Sequence, residues 1–145
     1  MKPSLKTSNI TIPFFLTYIP AGFPSPAQDY IEEDIDLQEL LIQHPLSTFL
    51  IRVKGNSMIN ACIPEDALLL VDKSVKPKNK DIIVGVIEGE FTVKRLIKTG
   101  KTIFLQPENP LYKPIEITEE MGFTIWGVVT RIIIDPKTNP YVGSC

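Results

Sequence analysis

Ser57 stands in the tetrapeptide Gly55-Asn56-Ser57-Met58, and Lys94 follows inside the stretch Phe91-Thr92-Val93-Lys94-Arg95-Leu96. A serine hydroxyl is a poor nucleophile until a nearby base takes its proton, and a neutral lysine can be that base where no histidine serves. The chain has one histidine, His44, so a Ser-His-Asp arrangement is short of candidates. For Lys94 to work, its amine must be largely uncharged near neutral pH, against an ordinary pKa of ~10.4, and a fall of about three units corresponds to roughly 4 kcal/mol against the charged form. Burial among apolar groups without a carboxylate partner pushes an amine that way. The pair therefore predicts apolar neighbours for Lys94 and a Ser57 hydroxyl within hydrogen-bond reach. Gly55 allows a sharp turn after a strand, and main-chain N–H groups in such a turn can be aimed at a developing oxyanion.

A third element is Ala21-Gly22, set in Pro20-Ala21-Gly22-Phe23-Pro24. A scissile peptide must enter a site extended and with little bulk, and these residues carry one methyl group between them while the prolines discourage helix. Each element alone has an ordinary reading: a Gly-Asn-Ser turn, a solvated strand lysine, a Pro-Ala-Gly loop. Alternation along the strand puts Thr92, Lys94 and Leu96 on one face and Phe91, Val93 and Arg95 on the other. Both faces are mixed, so periodicity does not by itself bury Lys94.

Composition narrows the class. With 145 residues, 43% of them hydrophobic, the chain can build a real core and is not globally disordered. A net charge of −2 argues against direct binding to DNA through phosphate contacts, so a link to DNA would run through a protein partner. Two cysteines, Cys62 and Cys145, read as reduced thiols, and with one histidine they cannot supply a four-ligand zinc site. No metal or other cofactor is called for, and a cytoplasmic setting follows as the default. Residues 1–23 imitate the outline of a secretory signal, but Thr7, Ser8, Asn9, Thr11 and Pro13 interrupt its apolar core. No run approaches the ~20 apolar residues of a membrane span.

The elements that must position the chemistry read as mainly β. Residues 1–30 hold five prolines together with Phe14, Phe15, Tyr18 and Phe23, which predicts an extended arm that packs on a surface. From 33 to 43 the spacing of Ile35, Leu37, Leu40 and Leu41 predicts a helix, capped by Asp34 or Asp36 and stopped by Pro45. The body, 31–145, continues as short strands at 49–53, 67–71, 81–87, 91–97, 102–105 and 125–134. A hairpin lies around Glu88-Gly89-Glu90. Turn signals about every ten residues suit a sandwich or barrel, and the tail after Pro136 reads as loosely ordered.

Taken together, these motifs resemble the LexA/UmuD family of self-cleaving Ser-Lys peptidases, over nearly the whole chain from Ile12 to Ile134. The resemblance is carried by Ala21-Gly22-Phe23-Pro24-Ser25-Pro26-Ala27, by Asp36-Leu37-Gln38-Glu39-Leu40-Leu41-Ile42-Gln43-His44-Pro45, by Gly55-Asn56-Ser57-Met58-Ile59, by Gly89-Glu90-Phe91-Thr92-Val93-Lys94 and by Gly127-Val128-Val129. It implies a LexA/signal-peptidase-like β-rich domain with one short helix. It implies Ser57 as nucleophile, Lys94 as general base, the amides of Asn56 and Ser57 as oxyanion hole, and cleavage of the Ala21–Gly22 bond. UmuD commonly has cysteine where Ala21 stands; alanine occurs there in LexA relatives. The resemblance further implies a homodimer, a RecA filament on single-stranded DNA as co-protease, and a Y-family DNA polymerase subunit of the UmuC kind as partner in SOS mutagenesis. Residues 1–30 offer neither a helix-turn-helix nor a basic patch, so no direct sequence-specific DNA binding is expected, and no membrane association. Other readings are a polymerase accessory or inhibitor module with a vestigial dyad, a phage-repressor-like regulator, which would need a helix-turn-helix, and a signal peptidase, which would need an anchor.

Overall fold

The computed structural model describes residues 10–24, 26 and 31–139. The basic head of the arm, Ser25 and Ala27 beside the Ala21-Gly22 motif, and the end of the tail with Cys145 lie outside the described residues. The chain divides into two compact units, Met1–Gln43 and His44–Cys145.

In the first unit, strand β1 (Thr11–Phe15) pairs antiparallel with β2 (Glu32–Asp36), with Thr11 opposite Asp36 and Phe15 opposite Glu32. The helix expected over 33–43 is only α1 (Leu37–Leu41). Its first part is strand instead, because pairing with β1 satisfies the backbone of Glu32–Asp36. Helix begins where that pairing ends: Asp36 is extended (φ −80°, ψ 112°), and its carboxylate accepts from the Gln38 N–H at 2.9 Å. Extended backbone at Ile42 closes the helix three residues before Pro45.

The second unit holds β3 (Thr48–Arg52), β4 (Leu68–Asp72), β5 (Ile82–Ile87), β6 (Glu90–Thr99), β7 (Thr102–Gln106), β8 (Ile115–Glu116) and β9 (Thr124–Ile133). They form one antiparallel sheet in the order β3-β4-β9-β5-β6-β7-β8. The six strands expected in the body are all present, within a few residues at each end; β1, β2 and the two-residue β8 are additions. Interior strands pack on both faces, since successive side chains point to opposite sides. On β5, Ile83 joins a cluster with Leu96, Leu105 and Val128, while Val84 joins Met58, Ile63, Leu69 and Val71. This explains why β4 and β5 read as near-continuous apolar runs rather than alternating ones.

The β5–β6 hairpin fixes the register of Lys94. Ile87 pairs with Glu90 across a two-residue turn, Glu88-Gly89, whose φ values of 51° and 82° are both positive. Such a turn matches the strand twist and closes the hairpin in one register, which sets Lys94 opposite Ile83. A slip of one residue would turn Lys94 to the other face of the sheet.

At the start of the second unit a buried carboxylate organises the chain. Asp72 is 3% exposed and accepts from Ser47 Oγ, from Ser74 N and Oγ, and from the His44 ring, whose Nδ1 lies 2.5 Å away. Burial pushes this carboxyl up, but the hydrogen bonds from Ser74, His44 and Ser47 together outweigh burial and hold it well below the usual range. The lone histidine is thus bound to a carboxylate, and the serine hydroxyls nearby donate to Asp72, not to the ring. Cys62, expected as a reduced thiol, is disulfide-bonded, so the compartment reading gains no support from it.

Gly127 of β9 sits where the sheet leaves no space for a side chain. A Cβ there would lie 2.6 Å from Val71 Cγ1 and 3.2 Å from the Asp72 carbonyl oxygen. At Gly85 the nearest atom is the ring edge of Phe123, at 2.9 Å, with backbone no closer than 3.6 Å. Val71 is wholly buried and cannot yield as a partly exposed ring can. Gly127→Ala should therefore lower unfolding free energy by about 1–3 kcal/mol, the usual cost of overpacking, and Gly85→Ala by less, as read from paired denaturant titrations.

Candidate active site

The segment after β3 is held as a tight corner. Val53 N donates to the Ala67 carbonyl and Asp66 N to the Val53 carbonyl, both at 2.9 Å, which ties the exit of β3 to the entry of β4. Gly55 then takes φ +83°, a left-handed conformation that favours glycine, and its N–H meets Glu65 Oε1 at 3.3 Å. The chain passes through Asn56 and Ser57 into a 3-10 turn over Ile59–Ala61. Met58, 2% exposed, anchors this corner in the core. With Met58 held inward, Ser57 is left half-buried at the surface.

Lys94 reaches the same place from β6. Its Nζ lies 3.1 Å from Ser57 Oγ, 2.8 Å from Thr92 Oγ1 and 3.0 Å from the Val93 carbonyl oxygen. None of these partners is a carboxylate. The set suits an uncharged amine: two N–H groups can go to Thr92 and Val93, and the remaining lone pair faces a hydroxyl that can donate. Burial lowers the Lys94 pKa from its ordinary value. The closeness of Thr92 and Lys94 follows from their i, i+2 spacing on one strand face.

Around the pair is a groove of about 370 Å³ lined by Ile51, Val53, Met58, Val84, Phe91, Val93 and Trp126 as well as Arg52, Lys54, Thr92, Ser57 and Lys94. The apolar neighbours expected of a desolvated lysine are therefore present. Trp126 is held from two sides, its ring centroid 4.3 Å from that of Phe49 and 4.7 Å from that of Phe91. Chemically, the arrangement offers a hydroxyl, a proton acceptor in contact with it, and a mostly apolar channel beside both.

Two backbone donors complete the corner. Among the described residues, the main-chain N–H groups of Asn56 and Ser57 have no acceptor, so both are free to receive a ligand oxygen. Ala21 and Gly22 belong to the other unit, in the segment between β1 and β2. Both are exposed, and a Cβ on Gly22 would meet nothing within 4 Å.

Sequence reasoning missed a set of residues in 106–112. Asn109, 8% exposed, donates through Nδ2 to the Asn56 carbonyl at 3.0 Å, and its Oδ1 accepts from Leu111 N at 3.0 Å. Tyr112 OH donates to Asn56 Oδ1 at 3.0 Å, and the Glu108 carbonyl accepts from Asn60 N at 2.9 Å. Glu108 in turn pairs with Arg95, next to Lys94 on β6, at 2.6 Å. The only local signal was the Asn109-Pro110 step, which marks a turn and says nothing about where the turn docks.

Comparison with known proteins shows the family. The Peptidase S24-like family matches residues 13–130. Protein SamA of Salmonella typhimurium is 44% identical over 131 residues, covering 90% of this chain and 91% of SamA. Protein MucA of Escherichia coli is 41% identical over 126 residues, 86% of each chain. LexA repressor 1 of Geobacter sulfurreducens is 43% identical over 102 residues, 70% of this chain but 50% of the repressor. A match of that extent, on a β-rich domain that presents a serine and a lysine in contact, means that the chain belongs to the Peptidase S24-like family, in the LexA/UmuD group that its motifs resemble.

Proposed function

We propose that this chain is a self-cleaving Ser-Lys serine peptidase of the UmuD type, which cuts its own Ala21–Gly22 bond when a RecA filament on single-stranded DNA favours the competent pose of the arm. The observation that carries this reading is the 3.1 Å contact between Lys94 Nζ and Ser57 Oγ, with the amine partly desolvated and, among the described residues, bonded to no carboxylate. Ser57 Oγ attacks the Ala21 carbonyl carbon as its proton passes to Lys94. The carbonyl oxygen, now negative, is received by the amides of Asn56 and Ser57. Collapse expels the Gly22 amine, which takes the proton back from Lys94. Water, deprotonated by Lys94, then attacks the Ala21 carbon of the Ser57 ester; Ser57 Oγ leaves, takes the proton back from Lys94, and residues 1–21 are released with Ala21 as their carboxylate end. Because substrate and enzyme are tethered, encounter needs no diffusion, and the rate is governed by the population of the competent pose.

In this reading the protein works as a homodimer in the cytoplasm. Its shortened form joins a Y-family DNA polymerase subunit of the UmuC kind in translesion synthesis during the SOS response. The similarity to SamA and MucA supports this placement.

Purified protein incubated with RecA, single-stranded DNA and nucleotide should lose the mass of residues 1–21. An unchanged mass with binding to RecA intact would favour a non-catalytic module instead. Ser57→Ala and Lys94→Ala should each abolish the cut while leaving the fold intact by circular dichroism. Self-cleavage by Lys94→Ala at a comparable rate would move the base elsewhere.

The pH dependence has a definite sign. Lys94 is inactive when protonated, so spontaneous cleavage should rise with pH as the amine loses its proton and level off above its pKa. Since burial lowers that pKa, the midpoint should fall below the ordinary lysine value of ~10.4. Intact-mass time courses across pH 6–11 (about five steps) measure it; a flat profile would sink the lysine base.

A further inference from the structure

We infer that Asn109 is a positioning residue for this site: by holding the carbonyl of Asn56, it aims and polarises the Ser57 N–H that would receive the oxyanion. The inference rests on the peptidase reading above and adds to it a residue on a separate loop.

The argument follows from the planarity of one peptide bond. The Asn56 carbonyl and the Ser57 N–H belong to the same amide, and in a trans amide they point in opposite directions within one plane. Whatever fixes the oxygen therefore fixes the direction of the N–H. Two donors converge on that oxygen: Ile59 N at 3.2 Å, from the following turn, and Asn109 Nδ2 at 3.0 Å, from a loop 53 residues away in sequence. The Ile59 contact is local and would rotate with the corner. Asn109 supplies the external reference. A hydrogen bond accepted at an amide oxygen also strengthens donation by the same amide's N–H, because hydrogen bonds in a chain polarise one another.

Asn109 is itself immobilised. It is buried, its Oδ1 is engaged by Leu111 N, and its carbonyl accepts from Tyr112 N at 3.0 Å. The Arg95–Glu108 pair ties the same loop to β6 beside Lys94. The loop thus connects the strand that carries the amine to the corner that carries the hydroxyl.

Asn109→Asp tests the point with little change of shape. One carboxylate oxygen still accepts from Leu111, but the other faces the Asn56 carbonyl with no hydrogen to offer. Spontaneous self-cleavage of the full chain is followed by intact mass across pH. The plateau rate should fall about 10- to 100-fold, less than the 10²–10³ lost when an oxyanion donor is removed outright; the added carboxylate also raises the pH midpoint, so the midpoint is judged on the uncharged variant below. An unchanged plateau would overturn the inference. So would a shifted midpoint with an unchanged plateau in the uncharged variant, which would mean that Asn109 acts through Lys94. Asn109→Ser, too short to reach Asn56, is the second variant and should show the same loss with the midpoint fixed. Unfolding of both variants would also overturn it, by making Asn109 a residue of the fold alone. If the unsubstituted chain does not cut itself, the peptidase reading fails, and that outcome is told apart from these by the wild-type control.

Discussion

The contact between the Lys94 amine and the Ser57 hydroxyl is the constraint around which the second unit is organised. An ammonium group keeps its charge in water, and it yields the charge only where desolvation outweighs the stabilisation that nearby partners give the charged form. Here the partners are two neutral oxygens and a hydroxyl, and the surroundings are largely aliphatic and aromatic. A carboxylate among them would restore the charge. The nearest strand neighbour shows the contrast: Arg95 finds Glu108 and the Lys80 carbonyl, and so satisfies a permanent cation.

Placing that contact requires two independent pieces of backbone to arrive together. Lys94 comes from the middle of a sheet, in a register fixed by the Glu88-Gly89 turn. Ser57 comes from a corner with no regular hydrogen-bond ladder, held instead by the left-handed Gly55, the buried Met58 and the 106–112 loop. Strand order explains the arrangement. β9 lies between β4 and β5, so the last strand among the described residues joins the hairpin that carries Lys94 to the pair that flanks Ser57. Close approach at Gly127 is part of that join, which is why the site depends on a glycine far from the chemistry.

Much of the fold was readable in the chain because strands of this kind announce themselves. Apolar runs of strand length, separated by glycine and lysine or glutamate turns, located β3 to β7 and β9. The first unit was harder. Ile35, Leu37, Leu40 and Leu41 fit a helical spacing, yet Ile35 lies in β2, because its strand partner β1, with Ile12 opposite Ile35, outcompetes local propensity for the backbone of Glu32–Asp36. Local pattern carries no information about such a partner. β8 is two residues long and too short to leave a periodic signal.

By itself, the sequence determined the chemistry available: one serine beside a glycine corner, one lysine in an apolar stretch, a single histidine, and a thin Ala-Gly step between prolines. These are matters of residue type and short-range spacing, which covalent order alone preserves. Only the tertiary structure decided that Ser57 and Lys94 touch, that no carboxylate among the described residues joins them, that the histidine is committed to Asp72, and that Asn109 grips the amide next to the serine. Those are distances between residues tens of positions apart. They are set by sheet register and core packing, whose energies belong to the whole unit and to no segment of it.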